Sequence, residues 1–220
     1  MNKVRVVLFD LDGTLIDSAP DLAGSANQMR VARGLPALPF EQLRPLAGAG
    51  ARGMLGAAFG VLPTAPEYAD LKQEFLDRYE QRMLQETRVF NLVIGMLEAL
   101  QARQVLWGIV TNKAERFALP LTRALGLHQG AVAVIGGDTT PHLKPHPAPL
   151  LEAARRAGVA AHQCIYVGDD ERDIVAGRAA GMRTVAAAWG YLGHGSTIST
   201  WGADLTIDQP HALLNWLTVA

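Results

Sequence analysis

The sequence predicts an α/β protein with an open parallel sheet and an inserted all-helical segment. Two observations predict the sheet: short apolar runs rich in β-branched residues recur along the chain, and helical patterns closed by glycine lie between them. A third observation predicts the insert, because residues 17–87 contain no convincing strand. We therefore expect the insert to separate the first strand from the second.

The predicted strands share a pattern that is typical of buried parallel strands. Residues 4–9 are β-branched and apolar on both faces, and they end directly at Asp10. Further strands are predicted at 105–110, 132–135, 164–167 and 184–188. Helices are predicted between them at 114–125, 148–157 and 170–180. Each of these helices is followed by glycine, a common helix stop. In such sheets the ligand binds beyond the carboxyl ends of the strands.

Two helix starts are predicted within the insert. Ser18 and Thr64 each begin a capping-box pattern, and the first helix should run to about Arg33. After the second, apolar residues recur at helical spacing: Tyr68, Leu71, Phe75, Tyr79 and Met83. A helical segment of this size is a marginal free-standing domain. We expect it to pack over the carboxyl edge of the sheet, near Asp10, and to act as a lid.

Composition and charge exclude several classes of protein. The chain has 220 residues and a formal net charge of −1, from 20 basic and 21 acidic side chains. We expect neither a nucleic-acid nor a membrane partner, because there is no overall basic field and no apolar run approaches a membrane span. A secretory signal is not expected, since the apolar run at 6–9 stops at Asp10. The single cysteine, Cys164, excludes an intramolecular disulfide and suits the cytoplasm, where we expect the protein to work.

Polar side chains lie at four separate places that the predicted topology brings to one edge of the sheet. They are Asp10 with Asp12, Thr111 with Asn112, Lys144, and Asp169 with Asp173. The carboxyl ends of parallel strands meet at one edge, so we expect these side chains to converge. Carboxylates crowd in this way only when a cation neutralises them. A site of few carboxylates plus water suits Mg²⁺.

The same residues carry a resemblance to a known family. The chain reads Asp-Leu-Asp-Gly-Thr-Leu from Asp10, Val-Thr-Asn from Val110, Lys-Pro at Lys144 and Val-Gly-Asp-Asp-x-x-Asp-Ile from Val167. In this order they are similar to the four motifs of haloacid-dehalogenase-superfamily phosphatases, and the insert resembles the helical cap of their phosphoglycolate-phosphatase-like branch. Residues 107–113 and 189–191 resemble bacterial phosphoglycolate phosphatases and N-acetylmuramic acid 6-phosphate phosphatases equally.

The resemblance covers essentially the whole chain, and it implies both a fold and a role for each of the site residues. The implied fold is a Rossmann-like core of residues 1–16 and 88–220 with a helical cap of residues 17–87. Asp10 is the implied nucleophile, which attacks phosphorus and forms an aspartyl-phosphate. Asp12 is the implied general acid and base. The residues implied to bind the phosphate are Thr111, Asn112 and Lys144, of which Thr111 and Lys144 also support catalysis.

The resemblance also implies how Mg²⁺ is held. Its ligands are the Asp10 side chain, the Asp12 main-chain carbonyl and Asp169. Asp173 lies one helical turn after Asp169 and is implied to orient Lys144 or a metal-bound water.

Two basic residues outside the main motif set are candidates for substrate binding. Arg52 lies in a glycine-rich stretch, and it either meets a substrate carboxylate or sugar oxygen or is an ordinary surface arginine. Lys113 has the same two interpretations and lies nearer the predicted site. Asp170 fits a helix N-terminus, where acids are favoured, and is not assigned to the site.

The chain departs from the family pattern at two places. Relatives usually have Pro-Gly where this chain has Asn91-Leu92, at the expected second hinge of the cap. We expect this difference to affect cap motion rather than chemistry. The third motif ends at His146, where aspartate is commoner, and this change fits a surface substitution.

The expected function is Mg²⁺-dependent hydrolysis of a small phosphorylated metabolite by a monomer or homodimer. By resemblance, 2-phosphoglycolate is the first expected substrate and N-acetylmuramic acid 6-phosphate the second. A β-phosphoglucomutase-like phosphomutase shares every motif and stays open as an alternative. A haloacid dehalogenase is disfavoured because it does not need an acid at position 12. A non-catalytic protein on this fold is disfavoured because no motif residue is missing.

Overall fold

The computed structural model describes residues 4–193 and 195–219. In these ranges the strands are β1 (Val6–Phe9), β2 (Ile16–Asp17), β3 (Arg88–Val89), β4 (Leu106–Val110), β5 (Val134–Ile135), β6 (Cys164–Gly168), β7 (Arg183–Ala187) and β8 (Leu205–Ile207). Six of them form one parallel sheet in the order β5-β4-β1-β6-β7-β8. The predicted α/β fold with a parallel sheet is therefore confirmed.

Helices account for most of the remaining regular structure. In the described residues they are α1 (Ala19–Ala32), α2 (Phe40–Leu43), α3 (Gly50–Phe59), α4 (Tyr68–Arg82), α5 (Val93–Ala102), α6 (Glu115–Ala124), α7 (Ala148–Arg156), α8 (Glu171–Ala179) and α9 (Ala212–Val219). The predictions at 114–125, 148–157 and 170–180 correspond to α6, α7 and α8 within a residue at each end. The helical pattern at 101–104 overlaps only the end of α5, so the structure adds most of α5 together with α9 and β8.

Strand β1 lies near the middle of the sheet and positions the motifs. Its residues are fully buried, with Val7 and Phe9 in one apolar cluster and Val6 and Leu8 in another. Both faces of the sheet are therefore covered, as the continuous apolar run predicts. Phe9 pairs in register with Ile109 on one side and Val167 on the other. This register brings the segments that follow β1, β4 and β6 to the same edge.

The segment between β2 and β3 forms the helical cap. Helix α1 packs against α3 and α4, and a 3₁₀ turn at Arg44–Ala49 precedes α3. The predicted stripe on α4 is only partly inward-facing: Phe75 and Tyr79 are fully buried, while Tyr68 and Leu71 are partly exposed. One apolar cluster runs from the sheet into the cap, so the two parts share a core. None of the helices in residues 4–193 and 195–219 is long and apolar enough to cross a membrane.

A two-residue antiparallel ribbon joins the two chain segments that connect core and cap. Ile16 pairs with Val89, and Asp17 pairs with Arg88. Asp17 therefore lies in a strand, although no strand was predicted in residues 17–87. Two residues are too few to carry a sequence pattern, so the prediction missed this ribbon.

Neither predicted capping box forms. The Ser18 hydroxyl donates to Asp12 Oδ1 rather than accepting from its helix, and α4 begins at Tyr68 without a side-chain cap, so Thr64 is not its N-cap. The structure has a capping box at α8, where Asp170 Oδ1 accepts from Arg172 N at 2.9 Å. The helix-terminal interpretation of Asp170 is therefore confirmed.

Asp21 is a fully buried carboxylate that ties the start of α1 to the end of the cap. Its Oδ2 accepts from Thr87 N at 2.9 Å, from Thr87 Oγ1 at 2.8 Å and from Glu86 N at 3.1 Å. Its Oδ1 lies 3.3 Å from Arg82 Nε. A buried charge with this many donors contributes to stability mainly because removing it leaves those donors unpaired.

We expect Asp21→Ala to lower the free energy of unfolding by about 3 kcal/mol or more, because it breaks a buried pair and several hydrogen bonds. Urea denaturation of the wild type and variant measures the loss. Glu86→Gln is the matched control, since the Glu86 side chain is 61% exposed where it pairs with Arg82. An exposed pair is worth about 1 kcal/mol or less. Equal losses in the two variants would contradict this account of Asp21.

Candidate active site

Three acids converge at the carboxyl edge of the sheet. Carboxylate oxygens of Asp10, Asp169 and Asp173 all lie within 4.8 Å of one another. Asp10 follows β1, Asp169 follows β6, and Asp173 lies in the first turn of α8. The parallel register of β1 and β6 explains the convergence, since Asp10 N donates to Val167 O at 2.9 Å. The structure thus brings together acids that the sequence separates by about 160 positions.

Lys144 is the cation at the centre of this cluster. It is 4% exposed, and its Nζ lies 2.9 Å from Asp10 Oδ1 and 2.8 Å from Asp173 Oδ1. It also donates to Tyr166 Oη at 2.8 Å and to Val110 O at 3.1 Å. Burial alone would lower the pKa of Lys144, but Asp10 and Asp173 outweigh burial and raise it. Lys144 is therefore held as a cation beside the implied nucleophile.

Asn112 fixes the backbone that carries Lys144. Asn112 Oδ1 accepts from Lys144 N at 2.9 Å, and Asn112 Nδ2 donates to Lys144 O at 3.0 Å. Both ends of its amide group are therefore engaged with the lysine loop. Thr111 is buried, and its Oγ1 accepts from Lys113 N at 3.1 Å. Thr111 lines the cavity above Asp10 and does not cap α6, whose N-cap is Ala114.

Asp169 is held from both sides by loops that follow other strands. Thr14 Oγ1 donates to Asp169 Oδ1 at 2.8 Å, and Tyr191 N donates to Asp169 Oδ2 at 2.8 Å. Gly13 has a φ of +84°, and a Cβ there would clash with the Asp169 carboxylate. Glycine at this position is thus needed both for the turn and for the close approach of Asp169.

Asp12 faces a different set of partners from Asp10. Its Oδ1 accepts from the Ser18 hydroxyl and lies 3.2 Å from Lys113 Nζ. Lys113 also donates to Tyr79 Oη of the cap at 3.0 Å, with its Nζ 4.6 Å from the ring centroid. Burial would lower the pKa of Lys113, but Asp12 and Tyr79 outweigh it and raise the pKa. Lys113 thus links the implied general acid to the cap.

Burial sets the protonation of the acids. It raises the pKa of Asp10 to about 7, with Lys144 opposing this shift and Asp173 adding to it. Burial likewise raises the pKa of Asp169 well above its ordinary value, and the charges of Asp10 and Asp173 add to it. A bound cation would stabilise the ionised forms of these acids, which burial disfavours. The all-oxygen donor set fits Mg²⁺, and these residues therefore suit a metal centre.

A cavity of about 610 Å³ opens above these acids between core and cap. Its core wall carries the motif residues, and its cap wall includes Arg52 and the aromatic face of α4. Arg52 is exposed and lines this cavity without contacting the acids directly. A second link between the two parts lies nearby, where Arg172 donates to Gly48 O at 2.7 Å.

Tyrosines that sequence reasoning left out complete the site. Tyr191 Oη accepts from Ser18 N at 2.7 Å and Ala19 N at 3.0 Å, so it caps α1 in place of Ser18. Tyr166 and Tyr79 contact the two buried lysines. In the sequence, Tyr191 belongs only to a stretch with a local family resemblance, and Tyr79 fits an apolar pattern at helical spacing. Nothing in their immediate sequence indicates the partners they meet.

Comparison with known proteins places this site in a family. A family model described as haloacid dehalogenase-like hydrolase matches residues 7–187. The chain belongs to the haloacid dehalogenase-like hydrolases. The family resemblance predicted from the motifs is thus confirmed.

The similar proteins define the class more narrowly. The chain is 52% identical to a phosphoglycolate phosphatase of Xanthomonas campestris pv. campestris, over 97% of this chain and 96% of that one. It is 39% identical to an N-acetylmuramic acid 6-phosphate phosphatase of Pseudomonas aeruginosa, over 98% and 95%. It superposes on a crystal structure of a predicted phosphoglycolate phosphatase from Haemophilus somnus with a TM-score of 0.86 and 30% identity, covering 98% and 99%. The protein is a phosphoric monoester hydrolase.

Proposed function

We propose that the protein hydrolyses a small phosphorylated metabolite through an aspartyl-phosphate on Asp10, with Mg²⁺ as cofactor. The observation that carries this proposal is the pairing of Asp10 with the buried cation Lys144, at 2.9 Å, in the floor of the cavity. A carboxylate beside a fixed cation suits attack on a phosphoryl group, because the cation stabilises the negative charge of the transition state.

In the proposed mechanism Asp10 attacks phosphorus and the bond to the leaving oxygen breaks. Asp12 gives its proton to that oxygen and then takes one from the water that hydrolyses the aspartyl-phosphate. Asp12 has partners of its own, Ser18 and Lys113, while Asp10 pairs with Lys144. Thr111 and Lys144 bind the phosphoryl oxygens, and Asn112 supports them by holding the Lys144 backbone.

We propose that Mg²⁺ is held by the Asp10 side chain, the Asp12 main-chain carbonyl and Asp169. When bound, it would offset the charge of the acids and of the phosphoryl group. Asp173 suits a positioning role, because its Oδ1 pairs with Lys144 and its Oδ2 accepts from Asp170 N at 3.1 Å. Asp173 thereby orients Lys144.

Metal binding is expected to stabilise the protein more at pH 8 than at pH 5. The pKa of Asp10 is about 7 in the folded protein against 3.8 ordinarily, so the metal-free folded state holds a proton that the unfolded chain releases. Its free energy of unfolding therefore falls as pH rises from about 4 towards 7. Mg²⁺ competes with that proton, so it should raise the melting temperature most where the acids must be ionised.

Thermal unfolding with EDTA and with Mg²⁺, at pH 5 and pH 8, measures this effect. Asp169→Asn is the control that should reduce the Mg²⁺-dependent shift at pH 8. Activity should vanish in EDTA and return when Mg²⁺ is restored. Equal melting temperatures with and without Mg²⁺ at pH 8 would contradict the proposed metal centre.

We further propose that the cap spans residues 17–87 and moves relative to a core of residues 1–16 and 88–220. Three observations support this division. The ribbon that pairs Asp17 with Arg88 marks the junction of cap and core, and Lys113 and Arg172 each donate a hydrogen bond from the core to the cap. The single cysteine and near-zero net charge support a cytoplasmic protein without a nucleic-acid partner, and we propose a monomer or homodimer.

The proposed substrate is 2-phosphoglycolate, supported by the 52% identity to a phosphoglycolate phosphatase. The size of the cavity favours the second candidate, N-acetylmuramic acid 6-phosphate. A volume of about 610 Å³ lies within the range of roughly 300–1,000 Å³ that encloses drug-sized ligands, and a two-carbon acid leaves most of it unfilled. A phosphomutase of the β-phosphoglucomutase kind stays an alternative, because it shares the motifs.

Phosphate release in Mg²⁺ from 2-phosphoglycolate, N-acetylmuramic acid 6-phosphate and several sugar phosphates tests this proposal. A kcat/KM above about 10⁴ M⁻¹s⁻¹ on one member, well separated from the rest, would identify the substrate. Asp10→Asn purified in parallel measures any contaminating phosphatase. Isomerised sugar phosphate without free phosphate would favour the mutase instead.

A further inference from the structure

Three exposed basic residues line the cavity in addition to the buried lysines. Arg52 comes from α3, Lys72 from α4 and Arg116 from α6. They therefore reach one space from three different elements, two in the cap and one in the core. Lys72 and Arg116 belong to none of the four motifs, and the proposed mechanism gives them no role.

The inner cations of the cavity are already neutralised by acids. Lys144 pairs with Asp10 and Asp173, and Lys113 pairs with Asp12. Arg172 pairs with Asp170 at 2.7 Å. The acids that line the cavity are Asp10, Asp12, Asp169, Asp170 and Asp173, and all lie on the core side. Asp169 is in none of these ion pairs, and its two oxygens accept hydrogen bonds from Thr14 Oγ1 and Tyr191 N.

The exposed cations have no such partners. Within residues 4–193 and 195–219, none of Arg52, Lys72 and Arg116 forms an ion pair. The cavity wall therefore carries positive charge that no acid neutralises. A substrate with a second anionic group meets complementary charge there.

The placement of Lys72 is informative because it interrupts an aromatic face. Tyr68, Lys72, Phe75 and Tyr79 follow one another at helical spacing on α4, and all four line the cavity. Phe75 stacks on Tyr79, with ring centroids 6.4 Å apart, and Tyr79 meets Phe117 edge-on at 5.5 Å. Tyr79 meets Lys113 beside Asp12, and Lys72 lies about two helical turns away, so the stretch of cavity wall between them is aromatic and suits a carbon skeleton.

Arg116 lines the cavity from the core, on α6. Its guanidinium lies 4.4 Å from the centroid of the Phe117 ring, so this contact sets its side chain against the aromatic wall. A planar, always charged guanidinium suits two-point binding of a carboxylate.

We propose that Lys72 and Arg116, with Arg52, form a subsite for a second anionic group of the substrate. The inference rests on the proposed function and narrows it: the preferred substrates are phosphomonoesters whose alcohol half carries a carboxylate or an equivalent anion. The phosphoryl group lies at Asp10, the carbon skeleton lies along the aromatic wall, and the second anion meets the exposed cations.

Two matched substrate pairs test the subsite. N-acetylmuramic acid 6-phosphate is compared with N-acetylglucosamine 6-phosphate, which lacks the lactyl carboxylate. 2-Phosphoglycolate is compared with 2-hydroxyethyl phosphate. In at least one pair we expect the wild-type kcat/KM to be at least tenfold higher for the member with the carboxylate. Lys72→Gln and Arg116→Gln should each reduce that ratio severalfold, and the double variant should reduce it tenfold or more.

In the Lys72 and Arg116 variants, KM should rise for the carboxylate member of each pair. The kcat/KM of its neutral partner should stay unchanged. Arg123→Gln is the matched control, because Arg123 is exposed on the same helix as Arg116 but does not line the cavity. Arg123→Gln should preserve the ratio of kcat/KM between the carboxylate member and its neutral partner.

Two results would overturn the subsite. One is phosphate release without preference for the carboxylate in either pair, and the other is an equal loss on both members of a pair in the variants. Either result leaves the phosphatase proposal standing. No phosphate release from any member, with Mg²⁺ present, would overturn the proposed function and the subsite together.

Discussion

Asp10→Asn is expected to reduce phosphate release by at least roughly a thousandfold, the scale seen when a nucleophile is removed. An asparagine amide has the shape of the carboxylate but cannot form the aspartyl-phosphate. It also loses the charge that pairs with Lys144. Steady-state phosphate release, with protein concentration matched to the wild type, measures the loss in kcat.

The fold should survive this change. Burial raises the pKa of Asp10 to about 7, so the wild-type protein already disfavours its ionised form, and Lys144 keeps Asp173 as a partner. Asp170→Asn is a stringent control, because Asp170 lines the same cavity but caps α8 and pairs with Arg172. We expect its kcat to fall less than tenfold. Residual activity of Asp10→Asn near that of Asp170→Asn would overturn the assignment of the nucleophile.

Lys144→Met is expected to have the largest effect on stability. The substitution leaves Asp10 and Asp173 buried without their countercharge, and such a loss costs about 3–5 kcal/mol. It also removes donors to Tyr166 Oη and Val110 O. Activity should be lost as well, because the proposed phosphoryl contact disappears.

The defect of Lys144→Met should grow with pH. Burial raises the pKa of Asp10 to about 7, so at pH 5 the folded protein keeps Asp10 mostly protonated and needs its cation least there. At pH 8 the folded variant must ionise Asp10 without Lys144. Urea denaturation at pH 5 and pH 8 measures this trend. Lys72→Met is the matched control, because Lys72 is exposed and should change stability by about 0.5 kcal/mol or less. A Lys144→Met protein as stable as this control at pH 8 would contradict the proposed role of the ion-pair cluster.

The sheet could be predicted because each strand carries its own signal. The run that ends at Phe9 is apolar on both faces, and the helices at 115–124, 148–156 and 171–179 end next to glycines that follow within two residues. The convergence of Asp10, Asp169 and Lys144 could also be predicted, since parallel strands place their carboxyl ends together. These inferences depend on local patterns and on one rule of topology.

The partners of individual side chains could not be predicted, because they depend on distant segments. Ser18 has the sequence of a helix cap, but its hydroxyl donates to Asp12 and Tyr191 caps the helix from 172 positions away. Tyr79 fits an apolar stripe, and its hydroxyl accepts from Lys113. The family resemblance implies that Asn112 binds phosphate, whereas in the structure its amide group holds the Lys144 backbone. The ribbon of β2 and β3 was missed because it has only two residues in each strand.

The central claim is that Asp10 carries the phosphoryl group during turnover. The most direct measurement is acid quenching during turnover with Mg²⁺, followed by proteolysis and mass spectrometry of the peptide that contains Asp10. We expect one phosphoryl group on that peptide, more of it in Asp12→Asn, where hydrolysis of the intermediate is slowed, and none in Asp10→Asn. Rapid phosphate release by a protein whose Asp10 is never labelled, with inversion of configuration at phosphorus, would contradict the account.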